Sequence, residues 1–385
     1  MIETYRDLTG AIAGRQPQMR KMIADLVGLE SPTEDRAAVN RCVTLVEGWI
    51  KASGGKSRRS RQKSAGDLLL GRFGPVGTRA KPLMLLGHLD TVWPMGTLKK
   101  MPFRVRGGRA WGPGVLDMKA GVVMALIALR TLHEKGQLRR PVIFLLNSDE
   151  ETGSEHSRAL TESLAKTCEA VFVLEPAQGL SGAYKTARKG VGHYRLLVHG
   201  IAAHSGVDFA HGHSAVLELG QQISRASAFT DLARGITVNP GVIGGGTRSN
   251  VVAAEAWAEF DVRIAKAVDA VRVDRRFRSL HPIDRKCTLE IEGGLNRPPM
   301  ERTSGTVALF RRAATMAAGL GFDLQEAANG GGSDGNFTSA LGIPTLDGMG
   351  AIGEGAHADS ESILLDALVP RTALLSAMIG GLSLE

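Results

Sequence analysis

Residues 20–54 return apolar side chains at helical spacing: Met22, Ile23, Leu26 and Val27, then Val39, Cys42, Val43, Val46, Trp49 and Ile50. Ser31-Pro32-Thr33 interrupts them as a turn with a capping residue, so the pattern predicts two helices with a break. Three short runs follow that are apolar at nearly every position, at residues 83–86 (LMLL), 142–146 (VIFLL) and 171–174 (VFVL). Runs of this length without alternation suit strands covered on both faces, as in a parallel or mixed sheet with helices on either side. Between the first two, residues 119–135 are apolar at Val122, Val123, Leu126, Ile127 and Leu129 and stop at Gly136. That predicts a crossover helix with a glycine terminator.

From residue 190 to about 298 the grammar changes. Tyr194, Leu196 and Val198 alternate with His193, Arg195 and Leu197 as a strand, and Ser214 caps a helical stretch apolar at Val216, Leu219 and Ile223. Residues 236–243 and 254–264 read as strands, 268–280 as a helix and 287–291 as a last strand. This β-α-β-β-α-β order describes a small one-sided sheet, a ferredoxin-like α+β domain inserted into the first. After Pro299 the first grammar returns, with a helix over 305–318, an apolar segment at 343–346 and a terminal helix ending near Leu382. The expected organisation is an α/β domain, a mixed central sheet flanked by helices, built from residues 1–188 and 299–385. Residues 189–298 form the insert.

Composition narrows the class. A chain of 385 residues is roughly twice what one core organises, and 43% apolar with 22% charged residues is the balance of a folded protein. Apolar runs fall short of the roughly 18 residues that span a bilayer, and the start (MIETYRDLTGAIAGRQPQMR) lacks a secretory pattern. Membrane and export readings fall away. Cys42, Cys168 and Cys287 are too few and too scattered for a disulfide framework or a thiolate metal site, which points to a reducing compartment and a cytoplasmic protein. The net charge of +8 and the basic run at residues 56–63 (KSRRSRQK) raise nucleic acid as a partner. The run has no interleaved aromatics for base stacking and reads as a solvated loop, so no nucleic-acid partner is expected.

Chemistry gathers after each strand-like run. Residues 83–86 lead to Gly87-His88-Leu89-Asp90, residues 142–146 to Asp149-Glu150-Glu151, and residues 171–174 to Glu175. Ligands of open α/β sheets bind beyond the carboxyl ends of the strands, so three runs deliver metal-type side chains to one rim. Asp117, after a glycine-rich turn (GPGVLD), and His357, in GEGAHAD, can reach the same rim. His88 and Asp90 stand two apart, so on extended chain the carboxylate can orient the imidazole. Glu150 and Glu151 would face opposite ways in a strand, and both can serve one site only if the strand has ended in the turn-like NSDEETGS. Two imidazoles and several carboxylates without thiolates suit zinc, with cobalt or manganese as substitutes. A pair of metals needs a shared carboxylate plus one imidazole and one carboxylate each, and His88, Asp117, Glu151, Glu175 and His357 supply that count. Glu150 is then left to act as general base.

The segments GHLDTV, MPFRVRGGRAWGPGVLDMKAG, NSDEETGS, LEP, AAHSG, GGGSD and GAHAD, in this order over nearly the whole chain, resemble one zinc-dependent family. It includes glutamate carboxypeptidase (carboxypeptidase G type), acetylornithine deacetylase, succinyl-diaminopimelate desuccinylase and aminoacylase, and residues 94–121 look most like the glutamate carboxypeptidase branch. The resemblance implies a zinc exopeptidase-like fold with two zinc ions per chain, Asp117 bridging, His88 and Glu175 on one ion, and Glu151 and His357 on the other. It further implies Glu150 as base, Asp90 as orienting carboxylate and a cis peptide between Asp117 and Met118. His204 of AAHSG matches a histidine that, in dimeric relatives, reaches the partner's active site and stabilises the oxyanion. Asn250 and Arg263 match residues holding the substrate carboxylate, and Arg297 matches a contact to a glutamate side chain. Gly330 to Gly332 lack the lysine and spacing of a P-loop, so Gly331 is expected in a close-approach turn lining the substrate. The segment 176–190 departs from the glutamate-releasing members.

These features describe a metallohydrolase that cleaves an amide of an amino acid with a free carboxylate, a glutamate carboxypeptidase-like peptidase acting on small peptides or N-acyl amino acids as a homodimer. Two alternatives stand beside it: an N-acyl-amino-acid deacylase of the deacetylase or desuccinylase type, and a non-catalytic metal- or anion-binding protein.

Overall fold

The three apolar runs become the parallel part of a six-stranded mixed sheet. In the computed structural model, which describes residues 2–381, Leu83–His88 lies between Val142–Asn147 and Ala170–Val173, parallel to both. Leu68–Phe73 and then Lys56–Ser60 extend the sheet antiparallel on one side, and Thr345–Leu346 adds in parallel on the other. Every residue of Leu83–His88 and Val142–Asn147 is buried. The missing alternation has a simple cause. Leu83, Leu85, Val142, Phe144 and Phe172 enter one apolar core with Val122 and Leu126, whereas Met84, Leu86, Ile143, Leu145 and Val171 enter a second with Ala165 and Cys168. Both faces are interior, so polar positions have no place.

The predicted helices form at Gln16–Val27, Arg36–Ala52, Ala120–Glu134 and Ser304–Gly319. Asp35 caps the second of them by accepting from the Ala38 N–H at 2.9 Å, and Thr303 caps the last through the Thr306 N–H at 3.2 Å. Ala120–Glu134 approaches the sheet closely at Gly121, where a Cβ would stand 2.3 Å from the Leu174 carbonyl oxygen. The terminal helix Leu365–Gly381 runs to the end of the described residues, and its expected end at Leu382 lies outside them.

One expectation is corrected. The basic run is not a loop over its first half, because Lys56–Ser60 is the edge strand of the main sheet, pairing residue by residue with Leu68–Phe73. Its side chains carry no apolar signal, and backbone pairing together with polar side-chain ties recruits it. Arg59 and Ser57 are tied to Glu47 at 2.6 and 3.0 Å.

The chain divides into two compact units. The first runs from the chain start to Ala187, with Arg302–Asn329 and the segment from Ser333 onward; the second is Arg188–Glu301 with Gly330–Gly332. The second unit has an antiparallel sheet in the order Thr237–Gly245, Glu255–Ile264, Gly190–His199, Thr288–Arg297, with helices Ala215–Ser227 and Ala267–Arg278. This is the expected ferredoxin-like order. Two differences from expectation have local reasons. Thr288–Arg297 runs past residue 291 because Gly293 and Gly294, at φ 80° and 157°, let a turn-like sequence stay in the ladder. Gly330–Gly332 belong with the insert because the Arg188 guanidinium donates to the carbonyls of Gly331 and Gly332 at 3.3 and 3.1 Å.

The insert's core centres on Phe277, whose ring stacks on Tyr194 at 4.0 Å between centroids and meets Phe229 and Phe260 edge-on. Phe277→Ala should destabilise this unit by about 3–5 kcal/mol. Hydrogen exchange followed by mass spectrometry should show faster opening of Gly190–His199 and Glu255–Ile264, and unchanged exchange there would refute the assignment of Phe277 as the centre of this core.

Candidate metal centre

Strand register brings the ligand-type residues level. His88, the last residue of its strand, pairs with Asn147, and Leu86 pairs with Val173, so Glu175 lies two residues past Val173 as His88 lies two past Leu86. Beyond Asn147 the strand has ended, and Glu150–Thr152 forms a single tight helical turn that carries both glutamates. Asp117 arrives from the segment Val115–Lys119, with the cis peptide Asp117–Met118 that the resemblance implied. Gly114 opens that segment at φ 70°, and a Cβ on it would stand 2.6 Å from Thr91 Cγ2. His357 itself takes a left-handed φ of 63°, in a turn closed by the Ala358 N–H on Gly355 at 2.9 Å and the Glu361 N–H on Ala358 at 2.8 Å.

Two clusters result, and they share Asp117. His88 Nε2 lies 3.4 Å from Asp117 Oδ1 and 3.6 Å from Glu175 Oε1. His357 Nε2 lies 3.3 Å from Asp117 Oδ2 and 3.2 Å from Glu151 Oε2. In each triad the candidate ligand atoms fall within 4.8 Å of one another. Glu150, beside Glu151, heads the same turn. Asp90 works from behind: its main-chain carbonyl accepts from His88 Nδ1 at 3.0 Å and its Oδ1 is 3.4 Å from that nitrogen. Its Oδ2 accepts from Thr33 Oγ1 at 2.8 Å and from the Glu151 N–H at 3.1 Å, so one buried residue engages the imidazole through its main chain and the glutamate turn through its carboxylate.

The donor set fits divalent metal. His88 Nε2, Asp117 Oδ1 and Glu151 Oε1 are buried without a hydrogen-bond partner, and all are atoms that ligate zinc-like ions. Close carboxylates favour the charged form of both imidazoles. Burial would lower His88, yet Asp117, Asp90 and Glu175 hold it well above the ordinary imidazole range. Hydrogen bonds to Asp117 and Glu151 raise His357 to about 10. Burial pushes Asp117 upward, but His357 and His88 outweigh it and hold the carboxyl well below its usual range. Glu151 ends above its ordinary value, chiefly through burial and with the Asp117 charge adding.

The other expected residues belong to the second unit. His204 and Val251 form an isolated bridge, the Ser205 N–H donates to the Asn250 carbonyl at 3.0 Å, and the Gly206 N–H donates to His204 Nδ1 at 3.1 Å. Arg263 grips Asp261, two residues earlier on its strand, through Nε and Nη2 at 2.8 Å each. Arg297 is buried and donates to Asn296 Oδ1 at 3.2 Å, and Gly331 is held by Arg188. Thr33, Trp93 and Glu361 were not anticipated. Thr33 bonds Asp90, Glu361 bonds the Asp117 N–H and Trp93 bonds Glu361, but a threonine in a turn or an acid in HADSE carries no periodic signal.

Two imidazole and carboxylate clusters sharing one aspartate stand at the carboxyl rim of a mixed α/β sheet, a donor set that suits a metal-dependent hydrolase. The chain belongs to the peptidase family M20/M25/M40, whose sequence profile matches residues 84–380. It is 28% identical over 375 residues to carboxypeptidase G2 of Pseudomonas sp. (strain RS-16), covering 96% of this chain and 90% of that protein. With succinyl-diaminopimelate desuccinylase of Xanthomonas oryzae pv. oryzae it shares 24% identity over 385 residues, 94% of this chain and 98% of the other. In fold it matches the M20 family metallo-carboxypeptidase Sso-CP2 from Sulfolobus solfataricus at a TM-score of 0.74 and 17% identity, over 94% and 98% of the two chains. No helix among the described residues is long and apolar enough to cross a membrane.

Because ligating imidazoles must be neutral, metal uptake at pH 7 by the chelator-stripped protein should release protons. The release should fade as pH rises through about 10, where His357 has already lost its proton. Calorimetry in buffers of different ionisation enthalpy reads this directly; heats independent of buffer at pH 7 would contradict the protonated imidazoles.

Proposed function

We propose that this enzyme is a glutamate carboxypeptidase-like peptidase that hydrolyses an amide whose amine side is an amino acid with a free carboxylate. The observation that carries the reading is Asp117 standing between His88 and His357, each with its own glutamate, with Glu150 heading the turn that carries Glu151. Similarity to carboxypeptidase G2 over 96% of the chain supports the choice of substrate class.

Two divalent ions are assigned to the clusters, zinc natively with cobalt or manganese as substitutes: one on His88 and Glu175, one on Glu151 and His357, with Asp117 shared. When bound, such ions polarise the scissile carbonyl and lower the pKa of water. Glu150 takes the proton of the attacking water and returns it to the leaving nitrogen. Asp90 keeps His88 Nδ1 engaged, so that Nε2 faces the ion. His204 is assigned to the oxyanion, acting in trans within a homodimer formed through the insert. Arg263, with Asn250, is assigned to the substrate's α-carboxylate, since Asp261 engages two of the five N–H donors of its guanidinium. Arg297 and Gly331 are assigned to the side-chain pocket. The three cysteines are all buried and unpaired, which supports a reducing compartment and a cytoplasmic site of action.

A second reading is favoured by the similarity to succinyl-diaminopimelate desuccinylase over 98% of that protein: an N-acyl-amino-acid deacylase. Hydrolysis of folyl-type and dipeptide glutamates, measured against acetylornithine and succinyl-diaminopimelate, separates the two. Inert glutamyl substrates together with turnover of an acylated amino acid would replace the first reading by the second. Glu150→Gln should lower turnover by at least about two orders of magnitude while both ions are retained. A chain holding no more than one metal, with no chelator-sensitive hydrolysis, would instead be a binding protein.

A further inference from the structure

Glu361 is fully buried, and four N–H donors surround it. Its Oε2 accepts from Trp93 Nε1 at 2.9 Å and from the Gly114 N–H at 2.8 Å; its Oε1 accepts from the N–H groups of Leu116 and Asp117 at 2.8 and 3.0 Å. Burying a carboxylate without a cation is costly unless donors replace its hydration. Here four N–H donors replace it, with the charge of the buried Lys119 acting on it from nearby, and the donors come from two chain segments that each carry a ligand-type residue: residues 88–93 with His88, and residues 114–117 with Asp117. Glu361 itself is four residues beyond His357, in the same closed turn, and its own carbonyl accepts from the Gly112 N–H at 3.3 Å. A single carboxylate therefore ties together the backbones that present three of the five proposed ligands. The donors on Oε1 belong to the peptide of Asp117 and its neighbour, so the carboxylate fixes the direction from which the shared ligand enters.

We propose that Glu361 is the positioning residue of the metal centre, holding Asp117 between His88 and His357 through the 114–117 backbone. The proposal rests on the reading of the clusters as a two-ion site. An ionised carboxylate is acceptor-only and can serve all four donors, whereas a glutamine of the same size turns an NH2 group toward two of them. The expected consequence is a displaced Asp117 and a weaker grip on metal, on the scale of roughly 10- to 100-fold known for residues that orient ligands.

The test uses the full chain stripped of metal and titrated with Co2+, recording affinity by competition with a chelator, the visible absorption of the bound ion, and the thermal midpoint. Wild type should take two ions. Glu361→Gln should remain folded, lose about tenfold or more in affinity for at least one ion and change the cobalt spectrum. Trp93→Phe, which removes one donor of the four, should shift affinity less and in the same direction. Leu309→Ala, a core truncation in helix Ser304–Gly319, should lower the midpoint and leave affinity alone. A folded Glu361→Gln protein with wild-type affinity and spectrum overturns the proposal, as does an equal loss of affinity in Leu309→Ala. If Glu361→Gln does not fold, Trp93→Phe decides, and unchanged affinity there overturns the proposal. Fewer than two ions in wild type would sink the two-ion reading and this proposal with it; two ions with unmoved variants would sink the proposal alone.

Discussion

Like charges crowded out of water are the constraint on which this molecule is built. Asp117 lies within ion-pair distance of both imidazoles, and Glu175 and Glu151 each share one of those imidazoles with it. Carboxylates this close and this buried repel one another in a medium that screens poorly, so they can coexist only around positive charge. The close carboxylates favour the charged form of both imidazoles, and a divalent ion placed among them would supply the positive charge while leaving the imidazoles as neutral donors. The repulsion must be contained by something rigid, and the parallel strands with their doubly covered faces supply it.

Rigidity reaches the ligands through hydrogen bonds rather than through apolar packing. Asp90 joins His88 to the glutamate turn, and Thr33 donates to the same Asp90 oxygen as that turn. The two imidazoles differ in their surroundings: His88 is 1% exposed and His357 49% by side chain. His357 therefore depends on its left-handed turn, and His88 on its neighbours. Lys119, buried just past Met118, donates to the Leu29 carbonyl at 2.8 Å and secures the start of the crossover helix to the end of Gln16–Val27.

The sheet was legible wherever side chains report burial. Residues 83–86, 142–146 and 171–174 announce themselves because two cores leave no polar position, and the insert announces itself because its strands alternate. Ligand-type residues were legible for a related reason, since the ends of buried strands are where a short polar motif stands out against apolar sequence. What stayed hidden was set by backbone contacts. Lys56–Ser60 pairs through its main chain with no apolar residue to mark it, and Gly330–Gly332 follow the insert because a distant guanidinium takes their carbonyls. Glu361 was hidden for the same reason: three of its four donors are peptide N–H groups, which every sequence offers equally. Asp359, two residues earlier in the same HADSE run, is exposed, and nothing in the letters distinguishes the two acids.

The main sheet ends at a strand whose letters are KSRRS. Its outward row of peptide groups is unpaired by any further strand among the described residues, the usual invitation to accretion between molecules. A newcomer docking there would have to seat its own backbone against Lys56, Arg58 and Arg59 and desolvate them as it came. The same cationic stretch thus shields the open edge of the sheet, guarding a chain rich in buried apolar surface against fibrous self-association.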